Sequence, residues 1–327
     1  MAPTPVMKLA SILLLSPCLA LAQSTWKPER PVELVVAAAP GGANDRIGRT
    51  IQRVLQEMKL ANAVQVVNKP GGGQAVAFSY LNTQQASPHV LGLASSSWLT
   101  TIAGGRGTIT HRDITPIVKF LDEYQLFFVR ADAPFKSARE IVDYLKKDQT
   151  SVSFGFSTSA GNPSHIGIAS LARHAGADPR KLKAVVFNSG TDTAVQVAGG
   201  HLDVGVQSPG SAARMAEAGK IRIIAVAAPR RHPGALAHIP TLREQGVDVE
   251  VNVFYTIFGP RGIDPAATAY WDQAITKVMQ SEQVKKDLTV NFWTIEIVGH
   301  KELPGFLQRE HDNYRRVLTD MGLYKPN

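Results

Sequence analysis

Residues 32–49, VELVVAAAPGGANDRIGR, constrain this chain more than any other stretch: an apolar run passes through a Pro-Gly-Gly turn straight into a helical pattern. Leu34, Val35 and Val36 follow one another without polar alternation, as in a parallel strand covered on both faces. Ile47, Ile51, Val54, Leu55 and Met58 then recur at helical spacing. Asn44 or Asp45 is placed to open that helix, and Asp45 to cap its first turn. Gly41 and Gly42 let the backbone turn tightly just where the helix presents its free N–H groups. An anion fits such a place, but one strand-to-helix turn also occurs with no ligand at all. Repetition decides between the two.

The pattern does repeat. Val64 to Val67 leads into Asn68-Lys69-Pro70-Gly71-Gly72-Gly73 and a helix expected from Gln74 to Thr83, and Val90 to Leu93 leads into Ala94-Ser95-Ser96-Ser97-Trp98. Val152 to Phe156 opens into residues 157–163, where Asn162 fits an N-cap and Pro163 the first helical position. Ala184 to Phe187 gives Asn188-Ser189-Gly190-Thr191-Asp192 and a helix ending near Gly199-Gly200. Val204 to Gln207 gives Ser208-Pro209-Gly210-Ser211 and a helix closed by Gly219. Short apolar strands that end in Gly, Ser, Asn or Pro and lead into helices predict an α/β chain with parallel sheets. Ligands of such sheets bind outside the carboxyl ends of the strands. The loops fall into two groups, 31–104 and 152–215, separated by Phe120 to Pro134, which predicts two lobes facing each other across a cleft.

The loops carry neutral donors: the hydroxyls of Ser95, Ser96, Ser97, Ser157, Thr158, Ser189 and Ser208, the amides of Asn44, Gln74, Asn162 and Asn188, and many backbone N–H groups. Lys69 and Arg106 are the nearby cations. Such an inventory suits a small carboxylate, held by several N–H and O–H donors and by helix starts. Enzymatic machinery is harder to find. Neither H-E-x-x-H nor G-x-x-x-x-G-K-[ST] occurs, Gly71-Gly72-Gly73 lacks dinucleotide-fingerprint spacing, and Gly155-Phe156-Ser157-Thr158-Ser159 lacks the final glycine of a nucleophile elbow. The nine histidines show no metal-ligand spacing. His165 stands apart because it closely follows a candidate ligand loop.

The first 22 residues read as an export signal, with Lys8 as the positive start, Leu9 to Leu15 as a short apolar run and Ala20-Leu21-Ala22 as the cleavage pattern before Gln23. Cys18, the single cysteine, lies inside it, so the exported chain is expected to carry no thiol. A lipid anchor on Cys18 is the minor alternative, disfavoured by Pro17 just before the cut. No later run reaches the roughly 18 apolar residues of a spanning helix. The formal net charge of +8 would suit nucleic acid. However, Lys285, Lys286, Lys301, Arg309, Arg315 and Arg316 alternate with Glu282, Asp287, Glu302, Glu310 and Asp312, as on solvated helix faces, and an exported protein seldom meets DNA. A mild attraction for anionic solutes follows, and no nucleic-acid partner.

In this order the segments resemble the exported solute-binding proteins of tripartite tricarboxylate transporters, often called Bug receptors. The marks are Trp26-Lys27-Pro28-Glu29-Arg30-Pro31, Pro40-Gly41-Gly42 with Asp45, the Asn68 to Gly73 segment, the Ser-Gly-rich loop with His165, Gly199-Gly200-His201-Leu202-Asp203, Ala218 to Arg222, Ile239-Pro240-Thr241-Leu242 and Gly259-Pro260-Arg261-Gly262. The resemblance covers essentially the whole exported chain. It implies a two-lobed periplasmic binding protein of the type II, Venus flytrap kind, with two mixed or parallel sheets flanked by helices and two crossings between lobes. The lobes it implies are 26–124 plus 252–327, and 125–251, with Val251 to Phe258 as the returning strand. It also implies that the loops matching Pro40, Gly41, Gly42, Ala43, Asn44 and Asp45, and Gly71, Gly72, Gly73 and Gln74, grip one carboxylate. Departures from the family pattern are Ala38 in place of an aromatic residue, Phe187-Asn188-Ser189 in place of a Tyr-Lys-Gly type segment, and a slightly longer loop before His165. Without a cation at Asn188 a tricarboxylate fits less well; Ala38 and Trp98 would make room for a bulkier acid, unless Trp98 is a hinge or core residue.

The expected protein is therefore a non-enzymatic, monomeric periplasmic receptor without metal or cofactor, which passes a small organic acid to membrane transporter subunits or a sensor. The rival is an exported hydrolase using Ser157 or Ser96 with His165, for which no third orienting group is visible.

Overall fold

The structure, a computed structural model, describes residues 26–107, 109–285 and 292–325. The export segment expected over 1–22 lies outside the described residues, as do Lys286 and Asp287. In chain order the elements are β1 (Val32–Val36), α1 (Ala43–Glu57), β2 (Val64–Asn68), α2 (Ala75–Thr83), β3 (Val90–Ser95), α3 (Ser97–Ala103), β4 (Thr115–Tyr124) and β5 (Leu126–Arg130). Then come α4 (Ala138–Lys147), β6 (Ser153–Ser157), α5 (Pro163–His174), β7 (Lys183–Phe187), α6 (Gly190–Ala198), β8 (Val204–Gln207), α7 (Pro209–Glu217) and β9 (Ile221–Val226). The chain closes with β10 (Asn252–Gly259), α8 (Pro265–Met279), β11 (Thr294–Val298) and α9 (Leu303–Asp320).

The strands make two mixed sheets, ordered β11-β4-β10-β3-β1-β2 and β7-β6-β8-β5-β9. β1 runs parallel to β2 and β3, and β6 parallel to β7 and β8, so the loops after these strands open on one end of each sheet. The antiparallel members are β10 and β11 in the first sheet and β5 in the second. The apolar repeats foretell the parallel members. The separator expected over Phe120 to Pro134 is instead two strands in succession, β4 in one sheet and β5 in the other.

Helices cover both faces of each sheet. On one face of the six-stranded sheet, Ile47, Ile51 and Leu55 of α1 and Trp271 and Ile275 of α8 pack against Leu34, Val36 and Phe120. On the other, Phe78, Leu99, Leu307 and Leu318 from α2, α3 and α9 form a core that also takes in Ile166 and Ala169 of α5. Trp98 belongs to this core: its ring is 2% exposed, stacks on Phe78 at 4.1 Å and meets Phe258 edge-on at 5.1 Å. Trp98 therefore makes no room for a ligand. The five-stranded sheet is packed by α4 and α5 on one side and α6 and α7 on the other.

The chain passes between the sheets twice, at Gln125 and again between Ala227 and Val251, and the passages are tied together. Gln125 N–H donates to Val251 O (3.0 Å), Ala227 N–H to Gln125 O (2.9 Å) and Val251 N–H to Ala227 O (3.0 Å). Ser164 at the start of α5 donates to Gln125 Oε1 at 2.7 Å. Beside this crossing, β4 carries the buried ion pair of Lys119 Nζ and Asp122 Oδ2 (2.6 Å), and Asn252 donates to Asp122 Oδ1 (2.8 Å).

Candidate functional site: the loops at the strand ends

The loop after β1 turns at Gly41, whose φ of +82° a side chain would resist. α1 begins at Ala43 rather than at Asn44 or Asp45, with Gly42 as N-cap and no side chain capping it. Asp45 instead reaches backward from the first turn and accepts the Gly41 N–H at 2.8 Å. Its carboxylate also receives Arg49 Nε (3.0 Å) and Asn68 Nδ2 (2.9 Å), while Asn68 donates as well to Ala38 O (3.0 Å). Burial pushes the Asp45 pKa up, but the bonds from Arg49, Gly41 and Asn68 outweigh it and hold the group down at about 2. Asp45 thus braces the loop from inside, and the N–H groups of the first turn stay available, as at any uncapped helix start. Asn44 lies almost buried beside them, and Pro40, Gly41 and Gly42 are exposed.

The loop after β2 is held in left-handed conformations, with φ of +122°, +58°, +59° and +79° at Gly71, Gly72, Gly73 and Gln74. A side chain at Gly73 would place its Cβ 2.6 Å from Thr101 Oγ1. Gln74 clamps the end of β3: its Nε2 donates to Ser95 Oγ (2.6 Å) and its Oε1 accepts the Ser95 N–H (3.1 Å). α2 starts immediately afterwards with no side-chain cap, and so does α3. Three neighbouring parallel strands, β2, β1 and β3, thus each lead into a helix that no side chain caps, although before α2 a 3-10 turn over Gly72–Gln74 already engages the Gln74 and Ala75 N–H groups. Ser95 keeps its O–H to donate, and Ser97 is half-buried. Ser96 faces inward, 1% exposed, exchanging backbone and side-chain bonds with Phe254. Both cations expected here are engaged: Lys69 Nζ sits 3.9 Å from the Tyr80 ring, and Arg106 donates to Ala160 O.

In the second sheet the hydroxyls divide by where their protons go. Ser157 Oγ donates to Gln207 Oε1 (3.0 Å), and Ser208 Oγ donates to Glu123 Oε2 (2.9 Å), so neither proton is left for a ligand. Glu123, pushed up by burial, also faces Tyr255 O–H and Trp293 Nε1, each at 3.4 Å. Ser189 Oγ accepts the Asp192 N–H (3.1 Å) as the α6 cap, and Thr158 Oγ1 accepts Asn162 Nδ2 (2.9 Å), so both keep an O–H to give. Thr158 has φ +75°, a left-handed conformation rare for a β-branched residue, held by its N–H on Phe187 O (2.9 Å). Asn188 is exposed. Asn162 caps α5 as expected, accepting the His165 N–H at 2.9 Å, with Pro163 at the first helical position.

His165 stacks on Phe156 at 4.2 Å and accepts the Gly161 N–H on Nδ1 (3.1 Å). Burial lowers its pKa to about 4, so the ring is neutral at pH 7 with its proton assigned to Nε2. The nucleophile pairing fails on this geometry. The Ser157 proton goes to Gln207, Ser96 is buried against Phe254, and no hydrogen bond among the described residues joins either serine to His165. No group of three or more His, Cys, Asp or Glu among the described residues is placed to hold a metal, and no described helix is long and apolar enough to cross a membrane. Sequence reasoning missed Asn68, Gln207 and Glu123. The first two stand at ends of strands it had found, where a polar side chain inside an apolar run is the available signal.

The comparisons with known proteins agree with this architecture. A protein of Polaromonas, a TctC solute-binding protein without ligand, superposes with a TM-score of 0.78 at 22% identity, covering 89% of this chain and 99% of that one. An R. palustris protein with adipate superposes with a TM-score of 0.72 at 21% identity, covering 90% and 98%. In sequence, the UPF0065 protein in the tcbD-tcbE intergenic region of Pseudomonas sp. strain P51 is 25% identical over 266 residues, 80% of this chain and 77% of that protein. The family model for the tripartite tricarboxylate transporter family receptor, TctC, matches residues 47–323. The chain belongs to the TctC family of tripartite tricarboxylate transporter receptors, with their two-lobed α/β fold.

Proposed function

We propose that the protein is a periplasmic receptor, not an enzyme, that captures a small carboxylate between its lobes and delivers it to a membrane transporter or a sensor. One observation carries the reading. The uncapped start of α1 behind Gly41-Gly42 stands beside the Gly71-Gly73 turn that leads into α2, tied to the end of β2 by Asn68 and Asp45, with the N–H groups of the first turn of α1 and of Gly72 and Gly73 left for an anion. The bound adipate of the R. palustris neighbour supports it. The ligand carboxylate sits against Ala43, Asn44, Gly72 and Gly73, with Ser95 and Ser97 beside it. Thr158, Asn188 and Ser189 close over its far end. Asp45, Ser96, Ser157 and Ser208 position the loops instead of touching ligand. The lobes comprise residues 26–124 with 252–327, and 125–251, and the protein works as a monomer after export and cleavage near Ala22.

A thermal-shift screen of mono-, di- and tricarboxylates that includes adipate tests the reading. A ligand present at 100 times its dissociation constant stabilises by about 2.7 kcal/mol. Folded protein that no carboxylate stabilises overturns the proposal. Intact-mass analysis of the exported protein should show loss of the first 22 residues.

A further inference from the structure

Away from the strand-end loops, a groove of about 1070 Å³ runs between the segment after β9 and the start of β11, beside Tyr124 at the end of β4. Neither the glycine loops nor Asn188 and Ser189 line it. Its walls are aromatic, formed by Tyr124, His232, Phe292 and Trp293, with the His232 ring 6.2 Å from Tyr124 and 6.5 Å from Phe292. Its rim is cationic. Arg230, Arg231 and Lys285 face one acid, Glu296. That acid is engaged already, accepting the Tyr124 O–H at 3.2 Å and lying 3.7 Å from Lys119 Nζ. Arg231 is paired with Glu244 at 2.9 Å and Lys285 with Glu282 at 2.6 Å, whereas Arg230 makes no hydrogen bond or ion pair within 4 Å among the described residues and acts on Glu296 only from a greater distance. His232 is 4% exposed, and its Nε2 has no hydrogen-bond partner among the described residues.

We propose that this groove is a second ligand site, built for a flat organic anion whose charged head meets Arg230 and whose ring lies against Phe292 and Trp293. Concave apolar walls with a few convergent polar groups are what small-molecule sites share. Aromatic side chains favour a flat partner in offset or edge contact. A guanidinium recognises carboxylate or sulfonate oxygens through its paired donors. Burial lowers the His232 pKa, so its imidazole is a neutral member of the aromatic wall. The site stands independently of carboxylate capture at the strand ends.

The probe is 8-anilinonaphthalene-1-sulfonate, titrated into the exported protein and read by its own fluorescence and by energy transfer from tryptophan. Wild type should bind it saturably. Arg230→Glu and Phe292→Ala should each weaken binding at least tenfold with melting temperatures unchanged, and Trp293→Phe should remove most of the energy transfer. Arg53→Glu, a charge reversal on the exposed side of α1, and Asn188→Ala should bind as wild type. Absence of saturable binding overturns the proposal, as does binding within threefold of wild type in both groove variants. Loss of binding in Asn188→Ala places the probe at the strand ends and also overturns it.

Discussion

Gly42 offers the cleanest perturbation of the strand-end loops, because the fold does not require a glycine there. Its φ and ψ of −74° and 175° are ordinary extended values. A Cβ at that position meets only Ala39 O, at 3.5 Å, an ordinary contact. Gly41, Gly72 and Gly73 are poorer tests, since their positive φ makes any replacement strained. At Gly42, Gly→Ala gains about 0.4–1 kcal/mol from the stiffer unfolded chain. It loses a comparable few tenths to one kcal/mol because alanine is a worse N-cap than glycine. Stability should therefore stay within about 0.5 kcal/mol of wild type. Binding should not. A side chain at an N-cap lies over the N–H groups of the first helical turn, and each hydrogen bond to a charged group is worth about 1.5–3 kcal/mol. Loss of two such bonds weakens affinity by about 10² to 10⁴. Isothermal titration calorimetry with adipate, or with the best acid from the screen, should show the loss of one such bond, about 10- to 10²-fold, for Gly42→Ala and the loss of both for Gly42→Val. Melting curves of both variants should match wild type. Wild-type affinity in both folded variants would refute the idea that this helix start holds the carboxylate.

On the opposite side of the cleft, Asn188→Ala removes one neutral donor and should weaken binding by about 0.5–1.5 kcal/mol, with unchanged affinity counting against the role of that loop. Asp45, held at about 2 in the fold against 3.8 for the ordinary group, contributes stability above pH 3.8 that is lost as the pH falls from there through 2. Urea midpoints measured at pH 5, 3 and 2 should fall more steeply for wild type than for Asp45→Asn, and parallel curves would contradict the bracing role. His165, lowered to about 4 by burial, stays neutral in the fold, so its contribution is present above pH 6.5 and is lost as the pH falls through 4. The imidazole proton resonances should titrate near pH 4, and a midpoint near 6.5 would show the ring to be solvated.

What the sequence discloses is what local physics controls. Unbroken apolar runs such as residues 34–36 are readable as buried parallel strands, and glycine clusters such as 71–73 as turns that need positive φ. Asn162 before Pro163 is readable as a helix cap because the capping bond spans only three residues. β4 escaped notice because Lys119, Asp122 and Glu123 look like solvated charges in a string, and their burial becomes tolerable through the Lys119–Asp122 pair together with Asn252 and Ser208 from far along the chain. The family was legible too, through the order of many weak segments.

The sequence by itself determined the alternation of strands, loops and helices and the inventory of donors at the strand ends. It could not apportion that inventory, because a hydroxyl has one proton and only tertiary contacts decide where the proton goes. Gln207 takes the proton of Ser157 and Glu123 that of Ser208, while Gly41, Arg49 and Asn68 occupy the Asp45 carboxylate. Packing placed Trp98 in a core instead of a cleft. The starts of α1 and α2 were left uncapped because neither Gly42 nor Gln74 turns a side chain back onto its own helix. The site is defined by what the fold leaves unpaired, and that remainder depends on contacts between residues far apart in the chain.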